Sequence, residues 1–490
     1  MNRNVVILGG GPAGLTAALE LSRHQIPSVV LEQDELVGGL ARTVSYKGYL
    51  FDIGGHRFFT KVDEINRIWH EVLGDDFLER ERLSRIYYRG KFFHYPLKPM
   101  NALAGLGPVE AVRILLSYLR SQAFPERPED SFEQWVSNRF GKRLYSIFFK
   151  TYTEKVWGVP CTELRAEWAA QRIKDLSLAT AVLSILFKRS GGKTIRTLIE
   201  KFHYPRQGPG MMWTRLTEQL EKQGHPVRRN TEVVAVRHDG GAIRSVVARD
   251  AGSGKEREFA GTDFISSIAM GGLLRRFDPA PPPEIREAAA SLKYRDFLTV
   301  GLIYRGEHLF PDNWIYVHSA DVKVGRIQNY KNWSPEMVPD PSTTGLGLEY
   351  FCNKGDELWN AADGDLIRQG VAETERLGLA SSRDFVDGVV IRVPKAYPIY
   401  DATYAGHLEK LKRYLAGFGN LQLVGRNGMH KYNNQDHSML TALLAVRNLL
   451  GANYDLWQVN TEQEYHEEVR EKEPAAAPSD AAHLTHGVSQ

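Results

Sequence analysis

An α/β fold built around a discontinuous parallel sheet is predicted by three observations. An apolar run, Val5–Leu8, opens onto Gly9-Gly10-Gly11-Pro12-Ala13-Gly14 and then onto a helical pattern over residues 15–21. The same succession of strand, glycine turn and helix returns near the far end, where residues 421–424 run into Gly425-Arg426-Asn427-Gly428 and residues 438–450 have helical apolar spacing. Between the two, the chain turns first helical and then β-rich, as an insert and a second layer would. At 490 residues it exceeds one ordinary core, so clefts between domains are expected.

Each element has a chemical reason. In the first turn Gly9 permits the tight bend, Gly11 lets amides approach a pyrophosphate, and Gly14 lets the helix pack closely on the strand. The helix N-terminus then faces the phosphates. A second strand over residues 27–31 ends at Glu32, placed to accept hydrogen bonds from a ribose hydroxyl and to disfavour the 2′-phosphate of NADP. A few residues on, Gly38-Gly39-Leu40-Ala41-Arg42-Thr43 resembles the second glycine motif of the amine-oxidase-like flavoprotein superfamily. That resemblance implies FAD, with Gly39 and Leu40 in the turn and Arg42 on the pyrophosphate. It also implies that the late helix points its positive end at the flavin, beside Gly425 and Arg426.

The expected organisation is therefore a Rossmann-like FAD-binding domain in three pieces, residues 1–95, 201–285 and 396–462. A helical insert over 96–200 and an antiparallel-sheet substrate domain over 286–395 interrupt it. The runs 232–236 and 263–267 are read as strands returning to the FAD domain, with Val234 as a cofactor contact. Residues 463–490, rich in Glu, Ala, Pro and Ser, are read as a disordered tail.

Composition narrows the class. A net charge of +3 is too small to argue for a nucleic-acid surface. The two cysteines lack the spacing of a metal site or a disulfide framework and fit a reducing cytoplasm. No leader is visible, and apolar stretches such as 179–187 fall short of the about 20 residues that span a bilayer, so no integral membrane segment and no metal are expected. Oligomeric state is not legible.

Local motifs resemble those of the UDP-galactopyranose mutase family, of the long, eukaryotic type, from residue 4 to about 450. Phe51-Asp52-Ile53-Gly54-Gly55-His56 resembles the flavin-proximal loop, and places Gly54, Gly55 and His56 at the flavin. The segment 152–160 with Trp168 and Arg172 resembles the one supplying an aromatic wall and a diphosphate-binding arginine. Segment 325–330 resembles the one holding a second such arginine, here Arg326, and 396–398 one with a substrate tyrosine, Tyr397. Asn434-Gln435-Asp436-His437-Ser438 is close to the C-terminal flavin motif. The resemblance implies substrate contacts from Tyr95, Lys98, Phe148, Thr153, Trp157, Tyr397, Tyr432 and Asn434, and flavin contacts from Asn434, Gln435, Asp436 and Ser438. Lys98 stands where the long mutases carry a glutamine for the uracil, and Thr153 where they carry an asparagine. Lys98 cannot accept a hydrogen bond. The diphosphate clamp is thus kept while base and sugar contacts change.

The activity implied is that of an isomerase interconverting pyranose and furanose forms of a nucleotide-diphosphate sugar, as in cell-surface polysaccharide biosynthesis. N5 of the reduced FAD attacks the anomeric carbon, the diphosphate leaves, and an N5–sugar adduct carries the ring change without net redox. NAD(P)H is the candidate reductant. Arg172 and Arg326 would stabilise the leaving diphosphate, because guanidinium forks bind phosphoryl oxygens bidentately. The rival is an FAD-dependent oxidoreductase of the amine-oxidase or protoporphyrinogen-oxidase kind, which shares every cofactor motif. An apolar tunnel would favour it; arginines converging near the flavin favour the mutase.

Overall fold

A computed structural model describes residues 3–95, 97, 99–166, 197–198, 201–460 and 468–469. Its centre is a five-stranded parallel sheet in the order Val227–Arg228, Ser28–Leu31, Val5–Leu8, Asp263–Ser266, Leu421–Leu423. The first strand is wholly buried, as a strand covered on both faces must be, and reads as a continuous apolar run. The helix Pro12–Arg23 starts with proline at its first turn and buries Leu15, Leu19 and Leu21 on one face of this sheet. The late helix Gln435–Leu449 packs beside it through Met439, Leu443 and Val446, so residues far apart in sequence share one core. Strand, glycine turn and helix at both chain ends thus build one α/β unit, as expected.

On the opposite face lies a four-stranded sheet in the order Glu256–Ala260, Ile243–Asp250, Thr231–His238, Phe277–Asp278. Here the two runs differ in where they pair. Asp263–Ser266 does return to the parallel sheet, but the strand carrying Val234 does not: it pairs antiparallel with Ile243–Asp250. Its hydrophobic alternation suits a half-covered antiparallel strand rather than a parallel one buried on both faces.

The second layer is a seven-stranded sheet in the order Phe385–Pro398, Tyr294–Arg305, Thr343–Cys352, Arg326–Asn329, Trp314–Val317, Ser84–Tyr88, Lys91–His94. All neighbours are antiparallel except Trp314–Val317 with Ser84–Tyr88. Two of these strands, Ser84–Tyr88 and Lys91–His94, lie within residues 1–95, the expected first cofactor segment. They join this sheet because Ile86 and Phe93 bury their side chains against the helices beyond it. Those helices, Pro99–Leu106, Pro108–Ala123, Phe132–Phe140, Lys142–Tyr145 and Thr151–Trp157, share a core of Phe132, Trp135, Phe140, Phe148 and Trp157. A Ser131 capping box starts Phe132–Phe140. Most of the tail lies outside the described residues, apart from Glu468–Val469, which pairs with Thr197–Leu198.

Candidate active site

The candidate cofactor cradle is made by backbone. Gly9 has a φ of +105°, which an L side chain rarely adopts, and its amide donates to Leu31 O at 2.9 Å. A Cβ at Gly14 would collide with the Gly9 carbonyl, so only glycine lets the helix start this close to the strand. The second glycine turn docks on the first. Gly38 N donates to Gly10 O at 2.9 Å, and a Cβ at Gly39 would stand 3.3 Å from Gly11 Cα. Gly425, with φ +78°, closes the cradle from the far end of the chain, where a Cβ would sit 3.0 Å from Ala13 Cβ.

Glu32 is buried at the end of the second strand and accepts from Gly10 N at 2.6 Å and Asp34 N at 2.9 Å. Burial raises its pKa, against the pull of those two amides. Arg42 is ion-paired with Asp34, and Leu40 is half-buried against a core that includes Phe51, Phe297 and Trp333. Val234 is the extra residue of a β-bulge: the register passes from Val233 opposite Ala248 to Ala235 opposite Val247. At the start of the late helix Asn434 is the N-cap, its amide 3.4 Å from His437 Nδ1, and Asp436 and Ser438 are buried. Gln435 Oε1 is buried there without a hydrogen-bond partner. A cradle of glycines without room for Cβ atoms, a buried carboxylate at the strand end and an unsatisfied acceptor at a helix N-terminus fit a dinucleotide.

Beside the cradle, the strand Tyr49–Asp52 ends in a turn at Gly54, with φ +83°, that delivers Gly55 and His56. A Cβ at Gly55 would lie 2.7 Å from Gln328 Nε2. That amide donates to Glu349 Oε1 at 2.8 Å, and Arg326, directly across the strands from Glu349, donates to its other oxygen, from Nε at 2.9 Å and from Nη2. Glu349 is fully buried and the Arg326 side chain is 18% exposed. Burial penalises the Arg326 charge, but Glu349, Tyr152 and Tyr397 together outweigh it and raise the pKa of the guanidinium further. His56 is half-buried, with Nδ1 shielded and without a hydrogen-bond partner. Burial, then the charges of Arg426 and Arg326, lower its pKa to about 3, so it is neutral.

An aromatic wall stands on the other side. Tyr397 and Tyr432 stack at 5.7 Å and 10°, Trp157 lies 6.1 Å from Tyr397, and the Arg426 guanidinium sits 4.6 Å over Tyr432. Arg426 donates from Nε to Asn433 O and from Nη1 to Ala396 O, both at 2.9 Å, and has no carboxylate partner among the described residues. Tyr152 extends the wall: it senses the charge of Arg326 and stacks on His318 at 4.8 Å, while Tyr316 is 4.7 Å from Tyr95 and 5.5 Å from Tyr152.

His56, Arg326, Trp157, Tyr397, Tyr432 and Arg426 therefore come together around one place. Tyr95 adjoins through Tyr316. Thr153 is buried on the same helix as Trp157, and Phe148 packs edge-on to Phe93 at 5.2 Å in the helical core. Arg172, Trp168 and Lys98 lie outside the described residues. The sequence reading missed Glu349, whose signal was available as the lone charge in the wholly buried strand Thr343–Cys352. It also missed Tyr316, for which no signal existed. No group of three metal-ligating side chains occurs among the described residues, and no helix among them is long and apolar enough to cross a membrane.

Comparison with known proteins agrees with the cradle. The family of flavin-containing amine oxidoreductases matches residues 12–449. Human protoporphyrinogen oxidase is 24% identical over 334 residues, covering 63% of this chain and 68% of the oxidase. A probable UDP-galactopyranose mutase of Klebsiella pneumoniae is 25% identical over 182 residues, covering 34% of this chain and 44% of the mutase. Another curated relative is matched over 53 residues only, 9% of its length. A crystal structure of reduced UDP-galactopyranose mutase superposes with a TM-score of 0.81 at 22% identity, covering 94% of this chain and 96% of that one. The chain belongs to the flavin-containing amine oxidoreductase family, and its cofactor is FAD.

Proposed function

We propose that the protein is a flavin-dependent mutase that interconverts pyranose and furanose forms of a nucleotide-diphosphate sugar without net redox change. The observation that carries the reading is the convergence of two guanidinium groups, Arg326 and Arg426, on a neutral His56 beside stacked tyrosines. Planar cations suit phosphoryl oxygens, and aromatic faces suit sugar and base rings. Arg326 spends Nε and Nη2 on Glu349, while its Nη1 has no hydrogen-bond partner among the described residues and would meet the diphosphate. Arg172 would supply the second clamp. His56, uncharged, would face the flavin without adding a third cation. Trp157, Tyr397 and Tyr432 would exclude water, and Tyr95, Lys98, Phe148, Thr153 and Asn434 would set the base and sugar accepted. Reduced FAD, when bound, would supply an electron-rich N5 as nucleophile toward the anomeric carbon.

One observation favours the second reading, an FAD-dependent oxidoreductase. Glu349 offsets part of the Arg326 charge, so the site is less cationic than two unpaired guanidinium groups would make it. The deciding experiment incubates dithionite-reduced enzyme with a panel of nucleotide-diphosphate sugars and looks for a furanose product by chromatography. Product formed without stoichiometric reductant supports the mutase. Its absence with every sugar, together with flavin bleaching by an organic substrate added to oxidised enzyme, replaces it with the oxidoreductase.

A further inference from the structure

We infer that the helix Pro108–Ala123 docks in the plane of an anionic lipid surface. Val109, Val112, Leu115, Leu116 and Leu119 are 43–66% exposed, and Phe124, just past the helix end, is 78% exposed. At 100° per residue the five helical positions cover an arc of about 120°, a continuous apolar stripe rather than scattered surface side chains. The inward side of the helix buries Ile114. The stripe therefore faces away from the described residues.

The charge beside the stripe identifies what it meets. Arg113 and Arg120 fall at one border of the arc, where their stems can lie along the apolar face while their heads reach outward. The acid nearest Arg113, Glu110, is 3.7 Å away and already taken by Arg143. Arg120 and Arg127 have no carboxylate partner among the described residues. An apolar stripe edged by one unpaired arginine and one that shares its acid with Arg143 is the chemistry of a helix lying at the headgroup level of an anionic bilayer. A second copy fits less well, because antiparallel pairing of two such stripes sets the arginine border of one against that of the other. With 16 residues the helix is too short to span the membrane.

The test uses the full-length, flavin-loaded protein and vesicles of phosphatidylcholine with or without phosphatidylserine. The protein should co-sediment with the phosphatidylserine vesicles, and high salt should release it. Leu116→Glu combined with Leu119→Glu should abolish the binding while flavin absorbance and circular dichroism stay unchanged. Arg113→Gln and Arg120→Gln should each lower partitioning onto the anionic vesicles about fivefold. Failure to sediment with phosphatidylserine vesicles overturns the inference, and so does binding undiminished by the double leucine change. A double variant that turns a lipid-independent oligomer into a monomer overturns it in favour of a second copy on the stripe.

Discussion

The cofactor cradle and the wall facing it are built by different means. In the cradle the work falls to backbone: Gly9, Gly14, Gly39 and Gly425 bring main chains within contact, and each position excludes a Cβ by collision or by conformation. On the facing side every contributor is a side chain, and each comes from a different element: Trp157 from a helix, Arg326 and Glu349 from neighbouring strands, Tyr432 from a loop. A backbone site is specified by a few consecutive residues. A side-chain site exists only once distant elements have paired in the right register.

That difference predicts how each region breaks. The largest effect should come from Gly14→Ala. Its methyl would land on the Gly9 carbonyl, and neither atom can move without separating the first helix from the first strand. Overpacking typically costs about 1–3 kcal/mol where side chains can give way; here backbone meets backbone and neither can, so the fold of the first helix itself is lost. The expected product is insoluble or flavin-free protein, judged by absorbance of the purified chain. A yellow, stable variant would show that the cradle is less tightly set than its geometry implies.

Next in size is Glu349→Ala, which tests the side-chain region. It would leave the nearly buried Arg326 guanidinium without its carboxylate and Gln328 without an acceptor. Removing one partner of a buried pair costs about 3–5 kcal/mol. Denaturant unfolding should show that loss while flavin content is kept, because the cradle lies elsewhere. Should Glu349→Ala instead release the flavin, the two regions are coupled and the contrast between them fails.

How much was legible follows the same division. Gly9, Gly11, Gly14, Glu32 and Gly39 could be read because the motif is local, and the structure puts them into one cradle. The recurrence of the glycine turn at Gly425 was readable for the same reason, although only the fold brings it against Ala13. Residues 84–88 were placed in the first cofactor segment by their position in the chain alone, and the pairing of Ser84–Tyr88 with Trp314–Val317 is set far away in sequence. Arg326 could be picked out by its motif, yet its engagement with Glu349 depends on a cross-strand register that no local pattern encodes.

A smaller effect, and a sharper probe, lies where the two regions meet. Asp52 closes the strand that leads to His56, and its buried carboxyl accepts from Thr43 Oγ1 at 2.8 Å and from the Tyr204 hydroxyl. Burial raises its pKa from 3.8 to about 7. The folded state thus favours the protonated form, so the contribution is fully present below pH 3.8 and is lost as pH rises through 7. The full shift corresponds to at most about 4 kcal/mol. His56 runs the other way: its pKa is lowered to about 3, so its contribution is lost as pH falls below 6.5. Wild type should therefore lose stability relative to Asp52→Asn between pH 4 and pH 7, measured as the difference in unfolding free energy at each pH. A difference that does not change with pH would mean that Asp52 stays ionised across the range.

The smallest effect repeats the first substitution where nothing constrains it. Gly406 lies in the first turn of the helix Tyr404–Leu415, is exposed, keeps an ordinary negative φ, and has no atom within 4 Å of where a Cβ would stand. Its only consequence is entropic, since glycine leaves the unfolded chain freer than alanine does. Gly406→Ala should therefore stabilise the protein by about 0.5–1 kcal/mol, with flavin content and turnover unchanged. Set beside Gly14→Ala, it asks whether the same added methyl has opposite signs in a surface helix and in the cradle. A destabilised Gly406→Ala variant would mean that the α-carbon of Gly406 meets something the isolated chain does not contain.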